Sequence, residues 1–128
     1  MMKRLLIVIL IGLASSCEHS TAPVAGLVNV SLTTPNAGND AAILLTIAGP
    51  AALTSVSAPA GLRLFAQPAP LGTTNRFALT GTIPAGTILT IGVADVNKAS
   101  AYTATIQQVA TTTYQLRALT GYSLKVTP

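Results

Sequence analysis

The chain has 128 residues, half of them hydrophobic and 8% charged, with seven Lys or Arg, three Asp or Glu and a single cysteine. Its net charge of +4 is dispersed and only 4% of residues are aromatic, which excludes a nucleic-acid surface of clustered cations and stacking rings. One cysteine excludes an internal disulfide framework.

Lys3 and Arg4 come first, followed by an apolar run from Leu5 to Leu13 and then by Ala14, Ser15 and Ser16. Positive charge is retained on the cytoplasmic side during insertion. The apolar run is far shorter than the roughly 20 residues that span a bilayer. That order predicts a cleaved export signal over residues 1–16.

The stretch Leu13-Ala14-Ser15-Ser16-Cys17 resembles the lipobox of bacterial lipoproteins, with Ala14 standing where that family favours leucine. The resemblance implies cleavage between Ser16 and Cys17, a diacylglycerol on the Cys17 sulfur, and often an acylated new amino terminus. It implies a cell-envelope protein whose partner is the membrane, reached through acyl chains. Glu18 after the cysteine is similar to lipoproteins passed to an outer membrane, so that membrane is favoured over the inner one. Two other readings stay open. Ala14 and Ser16 also satisfy ordinary secretory cleavage, and Cys17 also fits inside an uncleaved anchor. Lipidation accounts for the unpaired cysteine, since the thiol is consumed.

Residues 17–26 are polar or small, contain Pro23, and read as a tether reaching about 30 Å at roughly 3.3 Å per residue. Residues 27–128 then form one domain. Its pattern is alternation with a period of two, the mark of half-buried strands. Val28, Val30 and Leu32 face one way, and Asn29, Ser31 and Thr33 the other. A turn over Pro35–Asp40 leads to Ala42–Ala48, nearly all apolar, which predicts a central strand covered on both faces. Ala48–Leu53 has a weak helical character and predicts a single turn. Leu53–Ser57 and Leu62–Ala66 are short strands, and Gln67–Thr74 is a proline-rich loop.

Arg76–Thr82 and Thr87–Ala94 alternate on either side of the turn Pro84-Ala85-Gly86. Asp95–Ser100 is a polar connection. Strands are expected over Tyr102–Val109, Tyr114–Ala118 and Tyr122–Val126, the last entered through Thr120-Gly121. Eight or nine short strands near ten-residue spacing predict an all-β chain, an antiparallel β-sandwich, with a closed barrel as the alternative. The segments Ile43–Pro59, Asn75–Val96 and Tyr102–Ala110 resemble cohesin-type and related immunoglobulin-like sandwiches of bacterial surface proteins. That likeness implies the sandwich and carries no partner with it.

Catalytic chemistry finds few residues. His19, the one histidine, falls in the tether, where nothing orients a base. Asp40 and Asp95 are the domain's carboxylates, and both occupy turn-rich segments that favour bonding to the local backbone. No catalytic residue and no cofactor is expected. Asn36, Asn39 and Asp40 form one oxygen-rich turn, and Asp95 with Asn97 another. One carboxylate apiece is meagre for calcium, unless the two loops share an end and pool ligands. No metal site is assigned. Arg63, Arg76 and Arg117 are candidates for a shared binding face or for solvated strand positions.

The composition therefore predicts a non-catalytic interaction domain for adhesion, scaffolding or envelope assembly. Its partner would be an unidentified protein or glycan. A carbohydrate- or small-ligand-binding module is the alternative, with Tyr102, Tyr114 and Tyr122 as the only tyrosines to build a sugar platform.

Overall fold

Side chains that alternate in polarity bury one face of each strand, and two such faces closed together make a sandwich. A computed structural model describes residues 22–128. The expected signal segment, the Ser16–Cys17 cleavage point, Cys17 itself and His19 lie outside those residues. Eight strands form: β1 (Gly26–Thr33), β2 (Asp40–Ala48), β3 (Ser55–Ser57), β4 (Arg63–Gln67), β5 (Thr74–Ile83), β6 (Gly86–Val93), β7 (Thr103–Thr111) and β8 (Ser123–Thr127). They make two four-stranded sheets, β3-β6-β1-β8 and β4-β5-β2-β7, with every pairing antiparallel. Only β4 and β5 are joined within a sheet, and every other connection crosses between the two. The chain is the all-β antiparallel sandwich that its alternation predicts.

The core is the inner faces of the four central strands. Val28, Val30 and Leu32 of β1 meet Leu89, Ile91 and Val93 of β6, in a register that sets Val30 opposite Leu89. From the other sheet come Ile43, Leu45 and Ile47 of β2 and Phe77 and Leu79 of β5, with Leu45 opposite Phe77. Each fully buried aliphatic side chain stabilises the fold by about 1.5–3 kcal/mol. The sandwich has two poles. The pole where the chain enters holds Val24, Gly49 and Asp95. The opposite pole holds the β1–β2 turn, the β5–β6 turn and the long β7–β8 connection.

Three expectations are corrected. Ala48–Leu53 forms no helical turn. It bends so that Leu53 enters the core, and Gly49 lies so close to the buried Tyr102 ring that a Cβ there would sit 2.1 Å from it. The helix that does form is a 3-10 segment, Val96–Ala101, which takes up most of the expected polar connection and runs one residue past it. Second, Tyr114–Ala118 is not a strand. It contributes only an isolated bridge between Leu116 and Ala110, because Tyr114 turns the chain at φ 64°, a left-handed conformation costly for a side chain with a Cβ. The hydroxyl of Thr111 holds that turn by accepting from the amides of Thr113 and Gln115. Third, β2 is central but only its inner face is covered. Ala42, Leu44, Thr46 and Ala48 point outward and stay half-buried.

Candidate interaction face

The two outer faces of the sandwich differ in chemistry. On the β3-β6-β1-β8 sheet most outward positions are polar, namely Ser55, Ser57, Thr87, Thr90, Asn29, Ser31 and Lys125, with Leu27 an exposed apolar exception at the entry end, and Thr90 donates to Asn29 at 3.3 Å. Water satisfies such a surface. On the β4-β5-β2-β7 sheet the registers stack outward side chains into rows. One row runs Phe65, Ala78, Leu44, Gln108, and the next runs Arg63, Thr80, Ala42, Ala110, ending on Leu116. A third runs Gln67, Arg76, Thr46, Thr105.

Phe65 and Leu116 stand out from this face, 57% and 67% exposed, on either side of a floor of alanines and Leu44. A shallow trough of about 570 Å³ lies beside Phe65, over Leu44 and Ala78, with Gln67 and Arg76 at its side. A second hollow of about 230 Å³ runs along Ala42, Ala78 and Ala110 to Leu116. Contiguous exposed apolar surface of this kind marks a contact site more often than scattered single residues do.

Of the three arginines weighed together, Arg63 and Arg76 share this face and Arg117 does not. Among the described residues the one salt bridge is between Arg117 and Asp40, at 2.7 Å. Asp40 is 2% exposed and also accepts from the Tyr122 hydroxyl at 2.5 Å, while Tyr122 accepts from the Asn36 amide at 2.9 Å. The cluster ties the β1–β2 turn and β2 to the β7–β8 connection at one pole. Its hydrogen bond to Asp40 holds Arg117 protonated, above its ordinary value. Both Asp40 oxygens, the Tyr122 hydroxyl and the Arg117 Nε are bonded within the cluster, so it acts as a structural clasp.

Asp95 sits at the other pole. Its carboxylate caps the 3-10 helix by accepting from Asn97 N–H, and it also accepts from Val24 N–H, while Val96 N–H donates to the Val24 carbonyl. The Val24 bond, followed by those from Asn97 and the nearby charge of Lys98, lowers the Asp95 pKa below the ordinary carboxylate value. A lowered folded value stabilises the bound form above the ordinary carboxylate range, and that contribution disappears as pH falls through the lowered value. Acidification is therefore expected to release the Val24 segment before the core opens. Hydrogen exchange should show Val24 and Asn97 amides losing protection while Val30 keeps it, and Asp95→Asn should flatten the pH dependence. Simultaneous loss at all three amides would contradict the assignment.

The two oxygen-rich turns occupy opposite poles and do not pool ligands. Among the described residues no three His, Cys, Asp or Glu side chains gather in one place. Tyr102 is buried and Tyr122 is bound into the clasp, which leaves Tyr114, 90% exposed, as the one tyrosine open to solvent.

Thr46 lies on the apolar face between Arg76 and Thr105, and its hydroxyl is the one buried side-chain polar atom among the described residues without a hydrogen-bond partner. An unsatisfied buried hydroxyl costs about 1–3 kcal/mol. Thr46→Val keeps the shape and removes the penalty, so urea unfolding is expected to show a gain of about 1 kcal/mol. A loss of stability would mean that the hydroxyl is paired after all.

Sequence reading missed the face itself. Phe65, Leu116, Arg63 and Arg76 come from three separate segments, and only the registers bring them side by side. No protein-family model matches this chain, and no curated protein or solved structure matches it either.

Proposed function

We propose that this chain is a non-catalytic bacterial lipoprotein, held in the cell envelope by acyl chains on Cys17, whose sandwich is a protein-interaction domain for adhesion, scaffolding or envelope assembly. The observation that carries the interaction role is the contrast between the outer faces. One is built mostly from Ser, Thr, Asn and Lys with Leu27 as a single exposed apolar residue, while the other sets Phe65 and Leu116 over an alanine floor. Strand side chains that merely face water have no need of that apolar set. The lipobox-like stretch supports the anchor, with the outer membrane favoured by Glu18. The glycan alternative has less support, since a sugar platform needs a broad aromatic surface and Tyr114 stands alone.

Photo-crosslinking in living cells tests the interaction role on the full chain. p-Benzoylphenylalanine in place of Phe65 is expected to give protein adducts, whereas the same group in place of Thr90 on the polar face gives none. Equal adducts from both faces, or none from position 65, would remove the reading.

A further inference from the structure

We infer that the outer face of the β4-β5-β2-β7 sheet binds a protein segment that sets an apolar side chain between two carboxylates. The inference rests on the interaction role proposed above and specifies the partner's chemistry.

Charge placement carries the argument. Arg63 lies two residues from Phe65 on β4, and Arg76 lies diagonally across from it on β5, beside Ala78. Such positions are about 7 Å from Phe65 along the strand and about 7–8 Å on the diagonal, within reach of long side chains. Two arginine positions therefore flank one exposed ring, each with a side chain long enough to reach it. Among the described residues no carboxylate side chain shares the face, for Asp40 is buried in the clasp with Arg117 and Asp95 occupies the entry pole. Arginine forks match carboxylates in two-pronged geometry, and a partner that brings acids completes them. Between the forks, Ala78 and Leu44 form a low floor where a partner's apolar side chain can lie against Phe65.

Area and charge select a segment over other occupants. The three rows span about 20 Å by 19 Å at ordinary strand spacing, roughly 400 Å². A stable pair of globular partners buries about 800 Å² on each side. A second copy docked about a two-fold axis would also set Arg63 and Arg76 against the same two cations, with no acid between them. A flat bilayer would touch the Phe65 and Leu116 ridges and leave the trough between them empty.

The test uses the full chain in phosphatidylcholine nanodiscs and fluorescent peptides with a glutamate–leucine–glutamate centre. Controls carry glutamine–leucine–glutamine or lysine–leucine–lysine. The glutamate peptide is expected to bind best, and Arg63→Gln with Arg76→Gln should weaken it about tenfold. Arg63→Glu with Arg76→Glu should transfer the preference to the lysine peptide. Because both arginines are exposed strand positions, circular dichroism melting should be unchanged in each variant. No preference for the glutamate peptide, or a preference that the double variants leave intact, overturns the inference. So does an adduct from position 65 to lipid or to a second copy of the chain. Protein adducts from position 65 without a glutamate preference would remove the acidic partner and leave the interaction role standing, while the absence of any protein adduct removes both.

Discussion

Asp40→Ala is expected to lower folding stability by about 3 kcal/mol and the melting temperature by about 15 °C. Breaking a buried charge pair is expensive because the surviving partner keeps its desolvation without its attraction. Here the carboxylate accepts from Arg117 and from Tyr122, and the Tyr122 hydroxyl accepts from Asn36. Removing Asp40 leaves the tyrosine proton without its acceptor and opens a void at the start of β2. Arg117 is partly exposed and rehydrates, which holds the expected loss at the lower end of the range for buried pairs.

Asp40→Asn keeps the shape and an acceptor for Tyr122 while losing the charge, so its loss is expected to be smaller, about 2 kcal/mol. Combined with Tyr122→Phe in a double-mutant cycle, Asp40→Asn should show a coupling of about 1 kcal/mol. Urea unfolding of each variant measures these values. A loss below about 1 kcal/mol for Asp40→Ala would mean that the clasp contributes no more than an exposed ion pair. The clasp matters because Tyr122 leads into β8 of one sheet while Asp40 opens β2 of the other. It fastens the two sheets at one pole.

That clasp was invisible to sequence reading for a physical reason. Arg117 and Tyr122 are 77 and 82 positions from Asp40, and no local pattern announces a bond across that separation. Asp40 instead resembles an ordinary turn aspartate, and Asp95 fills that role only in part, through its local bond from Asn97 N–H, while its bond from Val24 N–H spans 71 positions. The Val28, Val30, Leu32 and Leu89, Ile91, Val93 series were legible because burial of a strand face writes period two directly into the chain.

The segment Ala42–Ala48 was half legible. Apolar residues on both faces of a strand say that both faces avoid water, but they do not say whether a second layer of the same chain or another molecule covers the outer one. The sandwich supplies no such layer, and Ala42 and Leu44 become part of an open apolar face. Tyr114 failed for the opposite reason. An aromatic followed by alternation reads as strand, yet its backbone lies in a region that favours glycine. Only the turn closed by Thr111 reveals it.

Cys17→Ser is expected to move the protein from the detergent phase to the aqueous phase on temperature-induced separation, with loss of the acyl mass from its N-terminal peptide. A single acyl chain binds a bilayer with a constant of only about 10⁴ M⁻¹, so durable anchoring needs a second chain, each buried methylene adding about 0.8 kcal/mol. Diacylglycerol on one sulfur supplies two chains at once, and serine, lacking the thiol, takes up neither. The same experiment separates the rival fates. Ordinary secretion puts both forms in the aqueous phase, and an uncleaved anchor keeps both in detergent with the signal still attached. If wild type and variant partition alike and the wild-type N-terminal peptide carries no acyl mass, the lipid anchor is refuted. The position of Val24 gives the proposed anchor a geometric consequence. Asp95 and Val96 bind Val24 into the entry pole, so on the proposed anchor six residues, Glu18–Pro23, would separate the pole from the membrane. Six residues reach about 20 Å when fully extended. On the proposed anchor the entry pole would then lie within that reach of the membrane surface, at the end of the sandwich opposite the clasp.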